Sequence, residues 1–246
     1  MEMLKGKVAV ITGGNSGIGY ATAKELKAEG AQVVITGRRQ EAIAQAAQEL
    51  GVTGLVADQG KVADIEKLAV QVKAQFGKVD ILFINAGVID KFQVEAATEA
   101  QFDGIMDINF RGAYFTLSKF IPLLNDGASV IFLSSNAAQL QIVGSSVYSA
   151  SKAALNAVMR TAALELAPRN IRVNSVSPGP TETEIMKKTL SGTELDAVHN
   201  WLLERLPLRR IGKAADVGRM VVHLAGDSAS FITGSEFIMD GGMLLG

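Results

Sequence analysis

Seven short runs of β-branched and aliphatic residues recur along the chain, at 8–12, 32–36, 54–57, 80–85, 129–134, 172–176 and 236–239. Between them lie longer stretches with helical periodicity, at 18–29, 41–50, 65–76, 102–124, 148–167 and 214–225. Most of the short runs are continuously apolar instead of alternating, as strands buried on both faces must be. A strand that feeds a helix returns beside its predecessor through a right-handed crossover. The pattern therefore predicts an α/β fold, one doubly wound parallel sheet of about seven strands with helices on both faces. The 246 residues are 48% hydrophobic, enough for one large core, and no linker-like stretch interrupts them, so a single domain over 1–246 is expected.

Sheets of this kind bind ligands beyond the carboxyl ends of their strands. One segment breaks the alternation just past such an end. Residues 180–212 form a long insertion whose apolar side chains, among them Met186 and Trp201, suit short helices lying over a cleft as a substrate lid. Composition then narrows the chemistry. The 24 basic and 25 acidic residues nearly cancel, which argues against a nucleic-acid partner. With no cysteine and only His199 and His223, a thiolate nucleophile and a Cys- or His-rich metal site are excluded. No signal-peptide pattern and no apolar run of about 18 residues is present. The expectation is a cytoplasmic protein with no membrane partner.

The first run opens "VAVITGGNSGIGYATAKEL", a strand, a glycine-rich turn and a helix. Gly13, Gly17 and Gly19 keep side chains out of the turn, so backbone N–H groups can approach a pyrophosphate at the helix N-terminus, as in Rossmann-type folds. After the second strand, about 20 residues on, an NAD site places a carboxylate on the ribose 2′-hydroxyl. Here "VVITGRRQE" offers Gly37 followed by Arg38 and Arg39. Guanidinium groups hold a 2′-phosphate well, and they are ill-placed at a helix start for any structural reason. NADP(H) is therefore expected in preference to NAD(H). Asp58, after the third strand, is placed to accept from an adenine amino group or simply to cap a turn.

In "SSVYSASK" Tyr148 and Lys152 stand four apart, on one face of a helix. A phenol of pKa about 10 needs about 3–4 kcal/mol of help to act near neutrality. A neighbouring ammonium supplies part of it. Such a phenol can protonate an alkoxide as hydride reaches a carbonyl carbon. In "VIFLSSNAA", Ser135 at a strand end can donate to the same oxygen. Asn109 in "MDINFRGAYF" is unfavourable within a helix, and it is read either as capping a kink or as holding a water.

Thr12-Gly13-x-x-x-Gly17-Ile18-Gly19, Asn85-Ala86-Gly87, Asn109, Ser135, Tyr148-x-x-x-Lys152 and Pro178-Gly179 stand in the order and spacing of the short-chain dehydrogenase/reductase family. The chain resembles the compact branch of that family from about residue 5 to its closing "MDGGMLLG". The resemblance implies Tyr148 as general acid/base, with Lys152 tuning it and binding the nicotinamide ribose. It implies Ser135 as substrate-orienting, and Asn109 as holder of a water that links Lys152 to solvent. The cofactor set it implies adds Asn15, Ser16, Ile18, Asn85, Ala86 and Gly87 to the positions above, with Pro178, Gly179, Thr181 and Thr183 near the carboxamide. Ile84 stands where the family often has a second asparagine. A homotetramer is also implied, packed through the helices near 102–124 and 148–167.

These readings lead to an NADPH-dependent carbonyl reductase, reversible as an alcohol dehydrogenase, acting on a small-molecule ketone, aldehyde or secondary alcohol. Val88, Gln139, Gln141, Met186 and Trp201 are expected to line the substrate pocket, which is mostly apolar. A 3-oxoacyl-carrier-protein reductase remains an open alternative, because family membership does not fix the substrate. A non-catalytic dinucleotide-binding protein would be expected to lack Tyr148 or Lys152, and both are present.

Overall fold

The computed structural model describes residues 2–182 and 192–246. The first half runs β1 (Val8–Thr12), α1 (Gly17–Ala28), β2 (Gln32–Gly37), α2 (Gln40–Leu50), β3 (Thr53–Val56), α3 (Val62–Phe76) and β4 (Val79–Ile84). The second half runs α4 (Glu99–Met106), α5 (Ala113–Phe120), β5 (Leu124–Leu133), α6 (Ser146–Leu166), β6 (Arg172–Pro178), β7 (Thr181–Glu182), α7 (Thr193–Arg205), β8 (Gly212–Lys213), α8 (Ala214–Ala225) and β9 (Glu236–Met239).

Seven strands form one parallel sheet in the order β3-β2-β1-β4-β5-β6-β9. Alternate side chains of β1 show why the strands read as unbroken apolar runs. Val8 and Val10 enter a core with Leu68, Val72, Phe120 and Met159 from α3, α5 and α6. Ala9 and Ile11 enter a second core with Ala23, Leu26, Ile43 and Val221 from α1, α2 and α8. Both faces are therefore dry, and a polar residue on either would need a partner in the interior. The doubly wound sheet expected from the alternation is present. Thr181 and Glu182 of β7 pair with Gly212 and Lys213 of β8 in a separate two-stranded ladder. Among the described residues no helix is long and apolar enough to cross a membrane.

The stretch 102–124 departs from the single helix its periodicity predicts. Thr98 caps α4 with a reciprocal Thr98–Gln101 box, so the helix begins at Glu99. It widens into a π-helical segment, Asp107–Gly112, before α5 resumes. A 3-10 turn, Ile121–Leu123, with Pro122 inside it, closes the run. Strand β5 then starts at Leu124, five residues before the apolar run suggests. Asn125, Asp126 and Gly127 look like a turn but form a bulge. The pairing with β4 jumps from Val79–Leu124 to Ile81–Ser129.

β1 and β4 are neighbours, yet the chain leaves them towards opposite edges of the sheet. The carboxyl ends of these two strands frame the crevice where this architecture places its ligands.

Candidate active site

The crevice is built first from backbone. Gly13 follows β1 with φ 67°, a left-handed conformation that glycine adopts without strain. A Cβ there would lie 2.9 Å from both Ala86 Cα and Asn85 Nδ2. A Cβ on Gly19 would overlap the Gly13 carbonyl oxygen. Asn85, buried at the end of β4, fixes this turn through its side chain. Its Nδ2 donates to the carbonyls of Thr12 at 2.8 Å and Gly13 at 2.9 Å. Thr12 Oγ1 in turn accepts from the backbone N–H groups of Asn85 and Ala86, each at 3.0 Å.

The result is a cleft of about 360 Å³. Of the residues expected to hold a dinucleotide, Gly13, Asn15, Ser16, Gly17, Ile18, Arg38, Arg39, Asp58, Asn85, Ala86 and Gly87 line it together, as does Val88. Gly19 supports it from beneath by packing on Gly13. Arg38 and Arg39 are exposed at its rim, and neither forms an ion pair with a described carboxylate. Asp58 serves its turn as well, since Oδ1 accepts from Gly60 N at 3.0 Å. A turn that only glycine can pack, guanidinium groups at the rim with no carboxylate partner among the described residues, and an open cleft at the carboxyl ends of the strands fit a nicotinamide dinucleotide.

At the inner end of the cleft, β5 and α6 are fastened together. Ser134 Oγ donates to the Lys152 carbonyl at 3.1 Å, and Lys152 Nζ donates to the Leu133 carbonyl at 2.8 Å. Lys152 Nζ lies 5.8 Å from the centre of the Tyr148 ring. Ser135 Oγ accepts from Ala137 N at 3.1 Å, and its hydroxyl hydrogen-bonds the Tyr148 phenol. Asn109, fully buried in the π-helical segment, clasps Val88: Oδ1 accepts from Val88 N at 2.8 Å and Nδ2 donates to Val88 O at 2.9 Å. The same nitrogen reaches Ser151 Oγ at 3.2 Å. A Cβ on Gly87 would sit 3.2 Å from Asn109 Oδ1 and 3.5 Å from Lys152 Nζ. The amide and the ammonium thus converge on the point where the cleft ends.

Burial sets the protonation behaviour of the pair. It lowers Lys152 to a pKa of about 8, because no opposite charge offsets the desolvation of the ammonium. It raises Tyr148 above the ordinary phenol value, and the hydrogen bond with Ser135 offsets only part of that rise. The sequence reading expects Lys152 to pull the phenol down. The folded chain by itself moves it up, because the same desolvation that weakens the ammonium also penalises the phenolate.

The remaining expected positions are more scattered. Gly179 N donates to Met239 O at 3.1 Å at the end of β6, and Thr181 Oγ1 donates to Gly179 O at 3.0 Å. Pro178 is buried beside them. Gln139 is exposed and engages Glu236 Oε2 at 3.0 Å, while Gln141 donates to Gln139 O at 2.8 Å. Trp201 is half exposed on α7 with the Arg205 guanidinium 4.4 Å above its ring. Thr183 and Met186 lie outside the described residues, as does part of the expected lid. Gln59, Ile108 and Leu133 also face the cleft and are not among the expected residues. Gln59 has a sequence signal, a polar residue directly after Asp58 in the loop beyond β3. Ile108 and Leu133 have none, being ordinary apolar residues.

A Rossmann-type sheet with a glycine-walled cleft at its switch point is the architecture of a dinucleotide-binding protein. Residues 13–244 match a family model described as enoyl-(acyl carrier protein) reductase. The chain is 39% identical over 250 residues to "Oxidoreductase asL5" of Sarocladium schorii, covering 99% of this chain and 98% of that one. A double mutant of a Serratia marcescens short-chain dehydrogenase/reductase superposes with a TM-score of 0.91 at 32% identity, covering 98% of this chain and 99% of that one. A blue fluorescent protein from a metagenomic library, solved in complex with NADPH, gives 0.89 at 30% identity, with 98% and 99% covered. The chain belongs to the short-chain dehydrogenase/reductase family.

Proposed function

We propose that the protein is an NADPH-dependent carbonyl reductase, reversible as a secondary-alcohol dehydrogenase, organised as one domain over 1–246. The observation that carries this reading is the convergence of Tyr148, Ser135, Lys152 and Asn109 at the inner end of the nucleotide cleft. NADPH, when bound, supplies the hydride that reduces the carbonyl carbon. The glycine turn and Asn85 hold the pyrophosphate and adenosine side, and Arg38 and Arg39 hold the 2′-phosphate. The NADPH complex of the metagenomic relative supports this cofactor.

Ser135 donates to the substrate oxygen in place of its bond to the Tyr148 phenol. Tyr148 delivers its proton to the same oxygen as the carbon–oxygen π bond breaks, and a neutral alcohol forms. The raised pKa keeps the phenol protonated, the form that this direction needs. For alcohol oxidation the phenolate must be reached. The charge of Lys152 and that of the oxidised nicotinamide ring together provide the stabilisation that burial removes.

The substrate is a free apolar ketone. The segment from Val88 to the first residue of α4 exposes Asp90, Glu95 and Glu99 against a single Lys91, a poor landing for the phosphate of a carrier-tethered thioester. Ile89, Val94, Ile142 and Val143 are exposed on the same loop and on the one after Ser135. The tetramer implied by the resemblance would pack through α5 and α6, where Ala150, Ala153 and Ala157 are exposed.

The test is cofactor oxidation across alkyl ketones, aryl ketones and 3-oxoacyl thioesters, with NADPH and NADH in parallel. NADPH is expected to be oxidised faster, and Tyr148→Phe to abolish turnover while retaining NADPH binding. Equal use of NADH would sink the Arg38 assignment, and turnover by Tyr148→Phe would remove the phenol from the mechanism.

A further inference from the structure

We propose that Gln59 is a positioning residue that ties the adenosine end of the cleft to the π-helical segment carrying Asn109. Seating the adenosine half of the cofactor would then steady the proton-handling end. The inference rests on the nucleotide reading of the cleft given above.

Gln59 directly follows Asp58 after β3 and is 7% exposed. Its carboxamide nitrogen has two hydrogens, and both are used across the crevice. One goes to the Ala86 carbonyl at 2.9 Å, the other to the Ile108 carbonyl at 3.0 Å. Ala86 belongs to the turn after β4, Ile108 to the π-helical segment, and both residues face the cleft. The backbone reinforces the link. A Cβ on Gly112 would overlap the Gln59 carbonyl oxygen, so the helix and the 58–61 loop touch directly. Arg111 Nη2 adds a second strap, donating to the Gly60 carbonyl at 3.1 Å.

The turn after β4 is thereby held at two points, Ala86 by Gln59 and Val88 by Asn109. The two holders meet in adjacent residues, Ile108 and Asn109. Isolated π-helical turns concentrate at functional sites, where they re-aim a side chain within an otherwise α-helical run.

The Gln59 Oε1 atom separates positioning from mere filling. It is buried and has no donor among the described residues. A stranded acceptor is a cost that a residue placed only to fill space would not carry. What the amide offers in return is its pair of donors. Those donors connect the adenosine wall to the helix that aims Asn109.

The test is amide hydrogen exchange on the full chain with saturating adenosine 5′-monophosphate, which lacks both the nicotinamide and the 2′-phosphate. In the wild type it is expected to slow exchange at 108–112 about fivefold or more, besides protecting the glycine turn. In Gln59→Met the glycine turn stays protected, the distant protection is lost, and kcat falls with the ketone KM unchanged. Arg111→Met, a surface change that leaves the core intact, gives partial loss and serves if Gln59→Met does not fold. Protection confined to the glycine turn in the wild type, or distant protection surviving in Gln59→Met, overturns the link. A nucleotide that alters no exchange overturns both the link and the cofactor site. The full pattern in a protein that reduces no ketone keeps the link and removes the reductase reading.

Discussion

Replacing the buried ammonium by an apolar side chain should make this protein more stable at neutral pH and less stable in alkali. Burial holds Lys152 at a pKa of about 8 against an ordinary 10.5. At about 1.36 kcal/mol per unit, the charged form destabilises the fold by about 3 kcal/mol. Below pH 8 the group is protonated both folded and unfolded, so the whole penalty applies. Between pH 8 and 10.5 the unfolded chain keeps a proton that the native state has released, and stability rises with pH. Above 10.5 both forms are neutral and the penalty is gone.

Lys152→Met removes the penalty at every pH but strands the Leu133 carbonyl, at a cost of about 1–2 kcal/mol. The variant should therefore be about 1–2 kcal/mol more stable at pH 7, with Tm higher by about 2–8 °C. It should be less stable by a similar amount above pH 10.5. Other titrating groups are common to both proteins and cancel in the difference. Urea unfolding of the two proteins at both pH values, followed by Trp201 fluorescence, gives the comparison directly. A variant less stable at pH 7, or a gap that does not change sign, would refute the reasoning. Turnover should be lost throughout.

Arg38→Ala is expected to raise the KM for NADPH about 10- to 100-fold with little effect on NADH, the loss of a charge-assisted hydrogen bond to a phosphate; steady-state kinetics with each cofactor decides. Gly19→Ala drives a methyl group into the Gly13 carbonyl and should destabilise by about 1–3 kcal/mol while weakening NADPH binding. Thermal melts and fluorescence titration check both effects, and an unaltered nucleotide affinity would show that the turn is not the cradle.

The strands were legible because burial on both faces leaves a continuous apolar run, and Val8–Thr12 and Glu236–Met239 match the reading residue for residue. Tyr148 and Lys152 were legible because four-residue spacing is a local property of a helix. What escaped depends on tertiary neighbours. The start of β5 hides behind Asn125-Asp126-Gly127, which bulge instead of turning. The π-helical segment at Asp107–Gly112 has no periodicity of its own. The rise in the Tyr148 pKa comes from burial, which spacing does not encode. Gln139 faces Glu236 because β9 ends up beside β6, a neighbour relation set by the whole sheet.

The bonds between Asn85 and the Thr12-Gly13 turn span 72 to 73 residues of sequence. The clasp that fixes the glycine turn does not exist until β1 and β4 have paired across everything folded between them. Unfolded chains and half-assembled intermediates accordingly offer the nucleotide nothing to hold. A cofactor present at 100 times its Kd deepens the native basin alone, by about 2.7 kcal/mol. Binding of the dinucleotide therefore rewards only the completed sheet.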